Sequence, residues 1–365
     1  MSRVCLVCVS LRAGGTERIV SRIANRLIKR HQVKVLLMSH SVPFYQLAPT
    51  VEVSRPALDA RSEAGWYWYP RIIGHLSRGL KEFRPELILC FGETIAPFVL
   101  LMAAPRGFRV IVFNRASPFA SLSGVRGVLN PLTYPLAHKV VVQTQRAADM
   151  MCRRYVLSRF SVLPNPVEIP THVPPLEGRT RRIINVGTLG GQKNQEALIY
   201  AFSRLESREG WELILVGDGP DRGRLEKMVE RVGLKNSVRF LGEREDVGQL
   251  LQDSRIFAFS SRTEGFPNAL AEALAAGCAC VSYDCATGPS EMIQDRVSGL
   301  IVPNGDDDGF KQALQELTLD SELRVRLGRA GRKGIWQFET EHFFEELDQL
   351  IEEALPYINP SQKRF

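Results

Sequence analysis

The sequence has few long apolar runs and few acids in its first half, and it lacks the signatures of a metal or dinucleotide enzyme. No apolar stretch reaches the roughly 18 residues needed to cross a bilayer; the best, Ile95 to Pro105, stops well short. The run Val4 to Leu11 is too short, and too closely followed by Arg12 and two glycines, to be a signal peptide. It reads as a buried first strand. The G-x-G-x-x-G fingerprint is missing after that strand, where the turn reads Arg12-Ala13-Gly14-Gly15. A later turn, Val216-Gly217-Asp218-Gly219-Pro220, sets a proline against the next helix. Both features argue against a dinucleotide-dependent dehydrogenase. No Asp-x-Asp pair stands where it would hold a metal ion, and no short-period repeat or low-complexity segment is present.

Seven cysteines are an odd number, and most sit in apolar runs (Cys5, Cys8, Cys90, Cys278 and Cys280). Cys5 and Cys8 have C-x2-C spacing, but residues i and i+3 of a strand point to opposite faces. Zinc is not expected. The thiols read as small buried hydrophobes in a reducing compartment.

Acidic residues are scarce in one half. Residues 1–163 hold 23 Lys+Arg against 8 Asp+Glu, a balance of +15, while the remainder holds 24 against 32, a balance of −8. Such asymmetry suggests that the first half meets something anionic. Nucleic acid and an anionic membrane surface both fit the charge, but no DNA- or RNA-binding module is recognisable.

What is present is a repeated alternation. A strand (Val4 to Val9), a Gly14-Gly15 turn, a helix (Thr16 to Arg30) and a strand (Val33 to Met38) open the chain. Further buried strands are predicted at Leu87 to Phe91, Val110 to Phe113 and Val140 to Gln143. After the proline-rich interval Pro164 to Pro175 the pattern restarts, with strands at Ile183 to Val186, Leu213 to Val216, Val238 to Leu241, Ile256 to Phe259, Cys280 to Tyr283 and Leu300 to Val302. Short uncharged strands between helices indicate an α/β protein with two doubly wound parallel sheets. A last amphipathic helix is expected over Glu339 to Leu355.

The most informative segment is Ser260-Ser261-Arg262-Thr263-Glu264-Gly265-Phe266-Pro267-Asn268-Ala269-Leu270-Ala271-Glu272. It follows an apolar strand and opens an alanine-rich helix over Ala269 to Ala276. Gly265 permits close approach of a ligand, and Pro267 fits the first helical position. The free N–H groups of a helix start form a site for a phosphate or diphosphate. Glu272 lies one to two turns further on, a reach that suits a ribose. Glu264, before the turn, is placed to accept hydroxyls beyond the phosphates. Taken alone, the pair also fits a dipole-compensating acid and a solvated surface acid.

With these pieces in place the chain resembles glycosyltransferase family 4, retaining enzymes of the GT-B fold. The resemblance spans nearly the whole chain. It rests on Gly14-Gly15-Thr16-Glu17-Arg18, Asn165-Pro166-Val167, Val186-Gly187 followed by Lys193-Asn194, Val216-Gly217-Asp218-Gly219-Pro220, the Glu264 to Glu272 segment, Gly288-Pro289-Ser290-Glu291 and Gly299-Leu300-Ile301-Val302-Pro303. It implies two Rossmann-like domains facing across a cleft: an acceptor domain over 1–163, a linker over 164–180, a nucleotide-sugar domain over 181–337, and a tail over 338–365 returning to the first domain. It further implies that Glu272 binds the ribose, Glu264 the donor sugar and Lys193 the diphosphate, with the amides of Phe266, Asn268 and Ala269 facing it and Gly265 among the donor-binding positions. Gly15 lets its loop approach the phosphates or acceptor, and Gly242 to Val247 borders the base. Two departures stand out. Thr188 replaces an arginine common in the family, with Arg262, Arg12 or the loop Gly190-Gly191-Gln192 as candidate substitutes. Arg115, in Asn114-Arg115-Ala116-Ser117-Pro118, replaces a histidine, either as a substrate contact or in a structural ion pair.

The chemistry the resemblance implies is metal-independent, retaining transfer of a hexose or N-acetylhexosamine from a nucleoside-diphosphate sugar, UDP-linked as the first expectation and GDP-mannose as the alternative, with no cofactor. The acceptor is a glycan or a polyprenyl-diphosphate-linked saccharide. The alternative is an inactive GT-B protein that partners another transferase. The basic half adds a membrane expectation. On the first helix Arg18, Arg22, Arg26 and Lys29 share one side, opposite Ile19, Val20, Ile23, Ala24, Leu27 and Ile28. Arg71 to Arg84 repeats the design behind Trp66-Tyr67-Trp68-Tyr69, aromatics suited to a headgroup interface. Arg22, Arg26, Lys29, Trp66 and Trp68 are therefore the expected membrane contacts of an enzyme peripheral to the cytoplasmic face of the inner membrane.

Overall fold

The structure is a computed structural model describing residues 1–12, 14–56, 68–115, 117–121, 124–155 and 160–355. It divides into two compact units, Met1–Leu163 with Phe344–Phe365, and Pro164–Phe343. The first unit carries seven strands: β1 (Arg3–Cys8), β2 (Gln32–Leu37), β3 (Glu52–Ser54), β4 (Leu87–Phe91), β5 (Arg109–Phe113), β6 (Lys139–Val142) and β7 (Phe160–Val162). They form one sheet in the order β3-β2-β1-β4-β5-β6-β7, and every pairing is parallel. The second unit carries β8 (Thr180–Val186), β9 (Glu212–Val216), β10 (Val238–Gly242), β11 (Ser254–Phe259), β12 (Ala279–Asp284) and β13 (Leu300–Pro303). Their order is β10-β9-β8-β11-β12-β13, again all parallel.

Both sheets are covered on both faces, which is why their strands read as unbroken apolar runs rather than alternating ones. Val4 to Val7, Leu87 to Phe91 and Ile256 to Phe259 are sealed from solvent. Each sheet reverses its winding beside its first strand, between β1 and β4 and between β8 and β11. Such switch points open a crevice at the carboxyl ends of the strands.

Eleven expected strands lie where the apolar runs put them. The three-residue strands β3 and β7 sit at the edges of the first sheet and are too short to carry a periodicity. The first helix spans Gly15–Leu27, so Lys29 lies past its end, in the turn where its N–H bonds to the Arg26 carbonyl (3.2 Å).

The last helix, Thr340–Ala354, changes unit along its length, since its residues from Phe344 onward belong to the first unit. There Arg26 pairs with Asp348 (3.0 Å) and lies over the Phe344 ring (4.8 Å). Arg109 donates to the Ala354 carbonyl (2.9 Å), and Lys139 meets Glu353 (2.8 Å). Phe344, Leu347, Ile351 and Ala354 are buried beneath these contacts. Arg26, expected at the membrane, is thus engaged by this helix; of the aromatics, Trp66 and the side chain of Trp68 lie outside the described residues.

Candidate functional site

In the second unit the candidate residues gather at the carboxyl ends of β8, β9 and β11. Gly187 ends β8 with its N–H on the Val216 carbonyl (2.9 Å). Gly217 answers from β9 at φ +128°, and a Cβ there would strike the Gly187 carbonyl oxygen. The paired glycines let two loops run in backbone contact, so this motif is scaffold. The loop after β8 then turns back on itself (Lys193 N–H to Gly190 carbonyl, 2.9 Å). Asn194, at φ 51°, launches the helix Gln195–Ser203.

The Lys193 loop is clamped to the loop after β11. Ser260 donates to the Lys193 carbonyl (2.8 Å), and the Arg262 N–H donates to the Gln192 carbonyl (2.8 Å). The clamp brings the two foremost side chains together: Lys193 Nζ sits 2.6 Å from Glu264 Oε1. Their side chains are 26% and 13% exposed, and the ammonium lies 5.9 Å from the centre of the Phe259 ring. Thr287, fully buried, donates to the Glu264 carbonyl, and Asn304 donates to that of Arg262 (3.1 Å). Lys193 and Glu264 therefore neutralise each other at a spot where a substrate could offer each a new partner.

The helix after Glu264 spans Asn268–Ala275, with Pro267 as its N-cap. Pro267 thus stands one position earlier than the expected first helical turn. Its ring is locked against Gly288, which sits at φ +105° and could not carry a Cβ without striking it. The expected set of free amides needs correction too. The Asn268 N–H is spent on the Phe266 carbonyl (2.9 Å), and the first helical bond runs from Ala271 to Pro267 (3.1 Å). The orphan donors of the helix start are therefore the amides of Ala269 and Leu270. Asn268 instead accepts a bond from Asn165 of the Asn165-Pro166-Val167 motif (2.8 Å). Phe266 is buried against Phe338 (centroids 5.8 Å apart), which fixes the Gly265 turn. Glu272 stands about 6 Å along the axis from Asn268 at 1.5 Å per residue.

Thr188 is exposed, and its carbonyl accepts from Gln195 (3.0 Å). Beside it a hollow of about 120 Å³ is lined by Gly190, Gly191, Asn194, Gln195, Arg224 and Arg262. Arg224 is committed to Glu196 and Asp221. Arg262 is exposed and brings a guanidinium to the glycine loop. A larger hollow of about 380 Å³ lies at the amino edge of this sheet, lined in part by Arg179, Gly277, Arg332 and Trp336. Arg179 is spent there on the carbonyls of Pro174 (2.8 Å), Ala276 (2.8 Å) and Ser254 (3.2 Å), which is a structural task.

In the first unit the Gly14-Gly15 turn opens the first helix. Tyr45 holds it, its hydroxyl accepting from the Gly14 N–H (3.3 Å) and donating to the Gly14 carbonyl (3.2 Å). Arg115 follows β5. Its stem is partly accessible, yet its three guanidinium nitrogens are sealed from solvent and have no hydrogen-bond partner among the described residues. Burial alone pushes its pKa down to about 9. Glu93, on the loop after β4, is taken by Arg126 (3.3 Å). The structural ion pair weighed for Arg115 is not formed among the described residues, so its charge stands uncompensated, a condition typical of functional positions.

Among the described residues no three His, Cys, Asp or Glu side chains come together as a metal site. Six cysteines are buried, and Cys152 is exposed. The contacts that sequence reasoning missed (Ser260, Thr287, Asn304 and Tyr45) are single polar residues whose partners lie 23 to 67 positions away. Local pattern carries no signal for them.

The Glycosyltransferase Family 4 model matches residues 13–169, and the model for glycosyl transferases group 1 matches residues 172–334. The amylovoran biosynthesis glycosyltransferase AmsD of Erwinia amylovora is 26% identical, over 90% of this chain and 92% of its own. The GalNAc-alpha-(1->4)-GalNAc-alpha-(1->3)-diNAcBac-PP-undecaprenol alpha-1,4-N-acetyl-D-galactosaminyltransferase of Campylobacter jejuni is 25% identical, over 97% of this chain and 99% of its own. Among solved structures, the lipopolysaccharide outer core galactosyltransferase WaaB in apo form superposes with a TM-score of 0.79 at 19% identity, covering 97% of this chain and 100% of that one. HepE of Anabaena in complex with UDP and glucose gives 0.79 at 17%, with the same coverage. Two adjoining family matches, relatives aligned along almost their whole length and two parallel sheets of the same winding agree: this chain is a glycosyltransferase of family 4 with the GT-B fold.

Proposed function

We propose that the protein moves a hexose or N-acetylhexosamine from a UDP-sugar to a saccharide carried on polyprenyl diphosphate, with retention at the anomeric carbon and without a metal ion. The observation that carries this reading is the Lys193–Glu264 pair, 2.6 Å apart at the mouth of the Asn268–Ala275 helix. A diphosphate placed there takes Lys193 as counterion and accepts from the amides of Ala269 and Leu270, where the helix dipole favours negative charge. Glu264, released from Lys193, then accepts the hydroxyls of the donor sugar. Glu272 takes the ribose, and Arg262 supplies the cation that Thr188 does not.

In the reaction the bond between the anomeric carbon and the diphosphate oxygen breaks as the acceptor hydroxyl oxygen bonds to the same face. The acceptor's proton passes to an oxygen of the departing phosphate. Lys193, the two amides and the helix terminus stabilise the charge that grows on that oxygen, a fixed electrostatic arrangement needing no reorganisation at the moment of transfer. Gly15 and Arg115 are assigned to the acceptor side. The undecaprenol-linked acceptor named for the Campylobacter relative and the UDP bound to HepE support the substrate classes. A lipid-linked acceptor supports a place at a membrane surface, which we read as the cytoplasmic face of the inner membrane.

The deciding experiment incubates the purified protein with a panel of UDP- and GDP-sugars and scores nucleoside diphosphate release, with and without polyprenyl-diphosphate-linked saccharides, in EDTA. UDP release that requires the lipid-linked acceptor is the expected result. No release with any donor favours the alternative, an inactive partner of another transferase.

A further inference from the structure

The helix Arg126–Thr133 in the first unit is built inside out. Its buried residues are the polar Asn130 and Thr133, while Val125, Val128 and Leu132 are 73%, 61% and 70% exposed. At 100° per residue these three side chains fall within about 60° of one another. Leu136, in the short turn that follows, is also exposed, and so is Leu101 on the helix Ala96–Ala103 packed alongside. Folding does not explain the stripe, because burying that side would have removed more apolar surface from water than burying Asn130 and Thr133. A contiguous exposed apolar patch marks a contact with something outside the chain.

Charge identifies the partner. From Thr94 to Ala148, 55 consecutive residues, the chain has no Asp or Glu; of its cations there, Arg109 and Lys139 are spent on the last helix and the Arg115 guanidinium is buried, which leaves Arg106, Arg126 and Arg146 toward solvent. Arg106 is exposed at the end of the Leu101 helix, and the Arg126 side chain is 41% exposed at the start of the inverted one. An apolar stripe edged by Arg106 and Arg126, the latter paired with a Glu93 side chain only 13% exposed, complements the headgroup–acyl boundary of an anionic bilayer. We propose that the Val125–Val128–Leu132 face is the surface by which this unit docks on an anionic membrane. The contact rests on the reading of a lipid-linked acceptor for its purpose, and it uses none of the donor-site residues. It moves the expected membrane surface away from the first helix, whose Arg26 is spent on Asp348.

The test is flotation with vesicles of phosphatidylcholine alone and of phosphatidylcholine with phosphatidylglycerol. The wild-type protein is expected to float with the anionic vesicles only. Val128→Glu with Leu132→Glu should weaken that binding by about tenfold or more, since two apolar anchors are lost and two like charges are added. Both positions are exposed, so the circular dichroism spectrum and melting temperature should not change. Arg22→Glu with Lys29→Glu, on the first helix, should leave flotation intact. Equal flotation with neutral vesicles, loss of binding only in the Arg22/Lys29 variant, or a wild-type dimer abolished by the Val128/Leu132 variant without vesicle binding would each overturn the proposal. UDP binding by calorimetry without vesicles separates the two readings. Flotation that persists in a protein unable to bind UDP leaves the surface standing and removes the donor site.

Discussion

Replacing Arg115 by methionine is expected to stabilise the protein while reducing its activity. Three guanidinium nitrogens are buried without a partner among the described residues, and burial pushes the pKa down from the ordinary arginine value to about 9. At 1.36 kcal/mol per tenfold change, that drop corresponds to a ceiling of about 5 kcal/mol against the charged form. Methionine keeps most of the apolar stem and removes the charge, so a net gain of about 1–4 kcal/mol is expected, the range found when buried ions give way to apolar side chains. Differential scanning calorimetry at pH 8 should show the variant melting several degrees higher. The pH dependence has a definite sign. Below about pH 9 the arginine is protonated in both the folded and unfolded chains, and the gap between variant and wild type is constant. Above it the folded protein releases its proton while the unfolded chain keeps it, so wild-type stability rises relative to the variant by about 1.4 kcal/mol per pH unit. The gap should therefore shrink between pH 8 and pH 10.5. A variant that melts below the wild type at pH 8, or a gap independent of pH, refutes the account of an uncompensated buried charge.

Lys193→Ala should lower kcat by about 100-fold or more, as loss of a preorganised transition-state donor does, whereas Thr188→Ala should change it by less than about threefold; the reverse order means the phosphate site is misplaced. Glu264→Gln combined with Lys193→Ala should be less damaging than the two single effects multiplied, because the residues form one contact, and a fully additive cycle in kcat/KM counts against a shared role. Transfer measured in excess EDTA should match untreated enzyme, while restoration by magnesium or manganese after chelation excludes the leaving-group account. Gly217→Ala should cost about 2 kcal/mol or more in urea denaturation, since it combines a positive φ with a collision against backbone; an unchanged midpoint shows that the two loops part without penalty.

Much of the fold is legible in the sequence because both sheets are parallel and doubly covered. Runs such as Leu87 to Phe91 and Ile256 to Phe259 have no polar side to offer solvent, and their spacing leaves room only for helices between them. The site is legible in part for a similar reason. A helix start after Gly265 and a lysine after Gly187 are local features, and the fold supplies their meeting. What stays hidden is direction. Val125, Val128 and Leu132 have the spacing of a core-facing stripe, and the sequence does not record that this side faces outward. Nor does it record that Arg26 meets Asp348, 322 positions away, instead of a membrane. Helix starts leave free amides, which predicts a free amide at Asn268, but the turn at Phe266 claims it first.

The helix Thr340–Ala354 also dictates the order in which this protein becomes complete. Its later residues belong to the unit formed by the first 163, so on the ribosome the N-terminal sheet emerges first and waits for its last layer. Until residues 344–354 arrive, Arg26, Arg109 and Lys139 lack their partners on that helix, and the surface that Phe344, Leu347 and Ile351 will cover is open to solvent. The second unit, by contrast, is continuous from Pro164 to Phe343 and is free to fold as soon as it is made. The topology is that of one domain inserted into another. A chain cut after Leu163 would release a second unit with its sheet entire and a first unit lacking a face. Closing that face in trans would fall to the second fragment, which still carries residues 344–354.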